Sequence, residues 1–188
     1  SHVQRFTYPV LRDSQAAALA LKNVGMATAI DLGNPINIHP PQKLELSRRL
    51  ALTARKIAYG ESKLIACGPV FESLKIDGSK AVVSFTSVGK GLEAKAVKLY
   101  NTQMKAGELK GFKVCGADKV FHDATAKIVG DTVVLTSPKV ATPVAVRYAW
   151  RGFPYANLFN KDGIAAAPFR TDTFKVVIPP APKPEPKK

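Results

Sequence analysis

The chain has 188 residues, 46% of them hydrophobic, including nine Phe, five Tyr and one Trp, enough apolar matter to bury a core. Its 28 Lys and Arg stand against 14 Asp and Glu, a formal charge of +14, yet the lysines of the strand-like part are scattered singly from Lys75 to Lys113. Isolated lysines on strand faces serve solubility and edge protection, and no basic helix or RNA-binding aromatic motif accompanies them, so no nucleic-acid partner is expected. Apolar runs are too short for a membrane span, and the opening residues SHVQRFTYPV lack the apolar centre of a secretory signal, so no membrane partner is expected either. Cys67 and Cys115 fit no metal spacing, which leaves two thiols or one disulfide. No metal or other cofactor is expected.

Taken in order, an irregular start ends at Pro9, and LRDSQAAALAL predicts a helix over Leu11–Leu21, ended by Asn23 and Gly25. The short apolar run Met26–Ile30 predicts a buried strand that stops at Asp31. A loop with Gly33, Asn34 and Pro35 follows and ends in Ile38-His39-Pro40-Pro41. Strand, acid, His-bearing loop and anchoring helix can together hold a general base at the mouth of an α/β sheet. From spacing alone, a structural loop histidine is the competing reading. A helix is predicted from Pro41 to about Tyr59, with Leu46, Leu50, Ala54, Ile57 and Ala58 as its packing stripe and Gly60 as its C-terminal cap. One strand and two helices cannot close an α/β core unaided.

From Leu64 the pattern alternates. Leu74–Ile76 and Ala81–Phe85 flank Asp77-Gly78, and Lys127–Val129 and Thr132–Leu135 flank Gly130-Asp131, two hairpin signals. Gly111–Gly116 and Val144–Trp150 read as further strands, and the spacing predicts an antiparallel β-sandwich of about 100 residues. Trp150, Tyr148, Phe153, Tyr155 and Phe159 cluster in sequence, either as a sugar-stacking platform or, more in keeping with strand-end aromatics, as the closure of a core or interface. Arg147 and Arg170 read as interdomain ion-pair partners. The closing PPAPKPEPKK cannot bury a core and reads as a polyproline-like tail. His2 and His122 receive no role.

Several motifs then align in order: Leu11–Gln15, Asp31-Leu32-Gly33, Ile38-His39-Pro40, Arg48-Arg49-Leu50-Ala51 and Ala58-Tyr59-Gly60, then Gly68-Pro69, Gly89-Lys90-Gly91-Leu92, Val146–Trp150, Pro154, Asn157, Asn160 and Pro168–Asp172. The series resembles the C-terminal part of the sialate O-acetylesterase family, carbohydrate esterases of the SGNH-hydrolase type that are typically secreted. The resemblance implies an α+β chain. Residues 1–62 would be the C-terminal segment of an SGNH-type esterase domain, 63–178 a β-sandwich-like domain, and 179–188 a Pro/Lys-rich tail.

Under that resemblance His39 is the catalytic base, taking the Ser proton and returning it to the leaving sugar oxygen, as an imidazole titrating near neutrality can. The family's orienting acid often lies three residues earlier, where this chain has Ile36, so either Asp31 or a backbone carbonyl is left to orient the ring. The competing reading of Asp31 is a capping residue that closes the strand. The nucleophile motif is missing, and Gly60-Glu61-Ser62 follows a helix rather than a strand. The expected partner is therefore a Ser-bearing N-terminal part of the same enzyme, as a separate chain or a cleaved piece, and the expected substrate an O-acetylated sugar. Extracellular or periplasmic location follows from the family. A non-catalytic carbohydrate-binding or structural β module is the alternative.

Overall fold

The computed structural model describes residues 4–37, 39 and 42–177, with side chains from Thr7 onward. The tail at 179–188 and Ile38, Pro40 and Pro41 of the histidine loop lie outside the described residues. Two helices precede a region built mostly of strands.

Helix α1 runs Gln4–Ala17 and continues as a 3-10 turn at Ala18–Ala20. It therefore begins earlier than the composition predicts and contains Pro9 instead of starting after it. Proline removes one N–H from the ladder, a loss confined here to the second turn. Beyond it Asn23 takes a left-handed conformation, φ 64°. Gly25 serves packing: a Cβ there would stand 2.2 Å from Thr53 Cγ2 and 2.5 Å from Ile57 Cδ1.

The predicted strand Met26–Ile30 is not a strand in this structure, because none of the described strands pairs with it. Strand geometry needs a neighbouring ladder for its N–H and C=O groups. The segment instead lies against helix α2, Lys43–Ile57, and its end enters the β core through Ile30.

Helix α2 lies inside the predicted range but buries a different face. Arg49 is its one buried residue, whereas Leu50 is 52% and Leu44 85% exposed. Past Ile57 the chain turns at Gly60, φ 72°, where the Glu61 N–H returns to the Arg55 carbonyl.

Strands β1 (Val70–Asp77), β2 (Lys80–Thr86), β8 (Thr125–Val129) and β9 (Thr132–Thr136) form one antiparallel sheet in the order β1-β2-β9-β8. Its hairpins turn at Gly78 and Gly130, both with φ near 55°, a value that glycine adopts without strain. A second sheet, β12-β10-β6-β7, joins Phe169–Arg170, Ala145–Tyr148, Phe112–Cys115 and His122–Asp123. Residues on one side of each strand alternate inward. Val83, Val133 and Leu135 from the first sheet and Val114, Val146 and Tyr148 from the second are fully buried in one cluster. Each such side chain contributes about 1.5–3 kcal/mol of burial free energy.

Four short strands were not legible in the alternation. β3 (Leu92–Ala94) pairs with β11 (Leu158–Asn160), and β4 (Val97–Leu99) with β5 (Thr102–Met104). Buried asparagines hold this irregular part. Asn157 donates to the carbonyls of Lys95 and Glu108 and accepts from the Lys110 N–H. Asn160 donates to the carbonyls of Cys67 and Ser87 and accepts from the Ile164 N–H. Cys67 and Cys115 are free thiols, and burial pushes the Cys115 thiol above its ordinary value.

Arginines fasten α1 to the strands. Arg12 donates to the carbonyls of Arg151 and Gly152, both at 2.7 Å, and Arg170 pairs with Asp13 at 2.9 Å. Arg147 forms a two-pronged pair with Asp172, both contacts 2.8 Å. Its guanidinium also lies 4.0 Å from the Phe121 ring centroid and 5.3 Å from that of Trp150, which Arg170 approaches equally closely.

Replacing Asn157 with Ala should leave one N–H and two carbonyls without their partner and cost about 3 kcal/mol. The urea midpoint of unfolding measures this; a loss under about 1 kcal/mol would show that water substitutes for the side chain. The Asp172 pair gives a pH signature. Burial alone would raise this carboxyl, but the hydrogen bonds and charge of Arg147 outweigh it and hold Asp172 below its ordinary value. Its stabilisation is complete above the unfolded carboxylate value of about 4 and is lost as pH falls through the lower folded value. The stability gap between the native chain and Asp172→Asn should therefore be constant near neutrality and shrink below about pH 4. A gap independent of pH would remove the ion pair from the account.

Candidate active site

The histidine loop begins at Asp31, which is 7% exposed, and ends at helix α2. Arg49, one turn and a half into that helix and 2% exposed, reaches back to it. Its Nη1 and Nη2 donate to the two Asp31 carboxylate oxygens at 2.7 and 2.6 Å, Nη1 also donates to the Thr28 carbonyl at 2.8 Å, and Nε donates to Glu45 at 2.9 Å. One guanidinium thus ties the segment before the loop to the helix after it. The planar fork of arginine suits this, since one ammonium cannot present paired donors to a carboxylate in that way. Burial works against the charge of Arg49, but Asp31 and Glu45 more than restore it, so its pKa lies above the ordinary value. Hydrogen bonds from Arg48, against partial burial, and from Arg49 bring the Glu45 carboxyl down to about 2.

Within the loop two asparagines set the path. Asn34 Oδ1 accepts the Ile36 N–H at 3.0 Å, and Asn37 Oδ1 accepts the His39 N–H at 2.8 Å. Each closes a local turn of the kind asparagine favours. His39 itself is exposed. Among the described residues no hydrogen bond joins its imidazole to Asp31, whose two oxygens face Arg49. The two candidate residues are therefore on one loop with no hydrogen bond between them among the described residues, and the Asp31 carboxylate is engaged by Arg49 instead.

An open cleft of about 1320 Å³ runs beside this loop. Gly33, Asn34, Pro35 and Asn37 form one wall, and Tyr8 and Pro9 of α1 contribute another part. The strand region supplies Phe121, Trp150, Phe153, Tyr155 and Phe174. Gly33 lets the loop approach the Phe153 ring, to which a Cβ would stand at 3.3 Å. Four cations, Lys119, Arg147, Arg151 and Lys175, also line the cleft.

The remaining sequence candidates sit elsewhere. Ser62 follows the end of α2, with Glu61 beside it engaged by Arg55 at 2.6 Å. Phe159 and Tyr148 are core residues, and Tyr148 receives the Leu158 N–H on its hydroxyl. Arg147 and Arg170 serve the ion-pair network. Arg49 is the residue that sequence reasoning missed. Its signal was the Glu45–Arg49 spacing of four, a helical ion pair, together with its place in the Arg48-Arg49-Leu50-Ala51 motif.

No protein-family model matches the chain. It is 29% identical to the sialate O-acetylesterase of Mus musculus over 164 residues, which covers 79% of this chain and 28% of that protein. Against the sialate O-acetylesterase of Homo sapiens it is 30% identical over 145 residues, 71% of this chain and 25% of that protein. The crystal structure of a carbohydrate acetylesterase from Xanthomonas citri superposes with a TM-score of 0.80 at 45% identity, covering 91% of this chain and 38% of that one. The chain thus spans about a quarter of the length of the curated relatives it matches, and it belongs to the sialate O-acetylesterase-like family.

Proposed function

We propose that this chain is the histidine-bearing part of a carbohydrate O-acetylesterase that hydrolyses acetyl esters on sugars, with sialate 9-O-acetyl groups as the reference substrate. The observation that carries the reading is the His39 loop, pinned by Arg49 and lying along an aromatic cleft, in a chain 45% identical to a carbohydrate acetylesterase. His39 acts as general base toward a Ser hydroxyl and then as general acid toward the leaving sugar oxygen. Asp31 and Arg49 are positioning residues, and a backbone carbonyl takes the imidazole's second N–H. The Ser and the donors for the tetrahedral oxyanion come from the N-terminal part of the enzyme.

Three features support a partner of that kind. Leu44, Leu50 and Ile57 of α2 and Leu11 of α1 are exposed, an apolar surface suited to burial against another part. The Met26–Ala29 segment has backbone groups with no strand beside them, as expected of a strand whose sheet lies in the partner. The two four-stranded sheets fit the β-sandwich-like domain that would follow an SGNH-type segment. An extracellular or periplasmic location belongs to this reading.

The chain by itself should release no acetate from O-acetylated sugars, and adding the Ser-bearing part should restore release. His39→Ala should then abolish turnover while the two parts still associate, as gel filtration would show. Acetate release by this chain alone, or full activity of the His39→Ala assembly, would refute the assignment.

A further inference from the structure

The histidine loop is held from two sides. Arg49 grips Asp31 from helix α2, and two residues later the loop meets the strand region, where the Phe153 ring lies against Gly33. The contact is close. A Cβ added at Gly33 would stand 3.3 Å from Cε2 and 3.7 Å from Cδ2 of the ring. It also falls where the loop leaves the body of the chain. Asp31 and Leu32 are buried, Gly33 and Asn34 are half-buried, and Pro35, Ile36, Asn37 and His39 are exposed. Past Gly33 the hydrogen bonds of the loop among the described residues are local, those accepted by Asn34 and Asn37.

Phe153 is itself braced. Arg12 of α1 donates to the carbonyls of Arg151 and Gly152, the two directly before it, both at 2.7 Å. Pro154 follows it, is buried, and confines the Phe153 backbone to extended conformations. Tyr155 meets the ring edge to face, with centroids 5.6 Å apart. Trp150, at the start of the same stretch, lies 5.3 Å from the guanidinium groups of both Arg147 and Arg170. A ring fixed in this way sets the position of the backbone that rests on it.

We propose that Phe153 is a positioning residue of the histidine loop, so that the strand region and α1, as well as α2, set where His39 stands. This rests on the reading of His39 as the base. It gives the strand region a part in the reaction that its own core packing does not require. Displacing a reacting group by about 1 Å can cost roughly a hundredfold in rate, and the Phe153 contact lies at the base of the exposed segment that carries His39.

Gly33→Ala is the smallest test of the contact. Gly33 has no positive φ for alanine to resist, so the added methyl acts only by pressing ring and loop apart by a few tenths of an ångström. In the enzyme assembled with its Ser-bearing part, Gly33→Ala should lower kcat about tenfold and leave KM within about twofold. Phe153→Leu, which lacks Cε2, should restore most of that loss when combined with Gly33→Ala, although alone it lowers kcat about threefold. In the native chain, amide exchange over residues 33–39 should rise about fivefold or more in Gly33→Ala and in Phe153→Ala, with β2 and β9 unchanged. A double variant no better than Gly33→Ala, a rise in KM at unchanged kcat, or unchanged loop exchange would each overturn the proposal. Raised loop exchange with native kcat and KM would uphold the tether and count against His39 as the base.

Discussion

The organisation of the first sixty residues depends on one buried guanidinium. Arg49 takes both oxygens of Asp31, the carbonyl of Thr28 and an oxygen of Glu45. A charge buried this far is tolerable only when its donors are matched, and removing one partner of such a pair costs about 3–5 kcal/mol. Breaking it would free the start of the histidine loop from the helix that follows it. Among the described residues the loop would then keep its two asparagine turns, which shape it locally, and the approach of Gly33 to Phe153.

A second set of charges, most of them half-buried, does for the rest of the chain what Arg49 does for the loop. Arg12 docks α1 on the loop after β10 and the Asp13–Arg170 pair docks it on β12, while Arg147 and Asp172 lock the ends of β10 and β12. Ile30 extends the hydrophobic core of the sheets into the segment just before Asp31. The cleft between α1, the histidine loop and the Trp150 region is therefore bordered by anchored elements. Preorganisation of this kind is what the proposed general base would need to act without reordering at each turnover.

Much of the strand region was legible because its signals are local. Gly78 and Gly130 mark two-residue turns, and inward alternation along β2 and β9 follows from the period of two. Strands of three residues such as β3, β4, β5 and β11 carry no such period, since their places are set by Asn157 and Asn160 reaching across long sequence separations. Many motif residues that made the family resemblance readable, Asn157, Asn160, Arg147 and Asp172 among them, are architectural. The helical stripe located the apolar face of α2 but not the polar face that holds it to this chain. Leu50 and Ile57 are exposed, and the face turned toward this chain carries Arg49, because the element it covers presents a carboxylate and a backbone carbonyl. The candidate site was legible as a place, the Asp31–His39 loop, while the partner of Asp31 was not, because the contact spans eighteen residues and no local pattern encodes it.

The central claim is that Arg49 positions His39 through Asp31, and amide hydrogen exchange across residues 28–39 in the native chain, Arg49→Lys and Arg49→Met tests it directly. The account predicts that both substitutions raise exchange in this loop while strands β2, β9 and β10 keep their protection, with Lys, which retains the charge but not the fork, intermediate between native and Met. In the assembled enzyme the same series should lower kcat, on the order of a hundredfold for Met, with little change in KM. Unchanged loop exchange together with native kcat in Arg49→Met would contradict it.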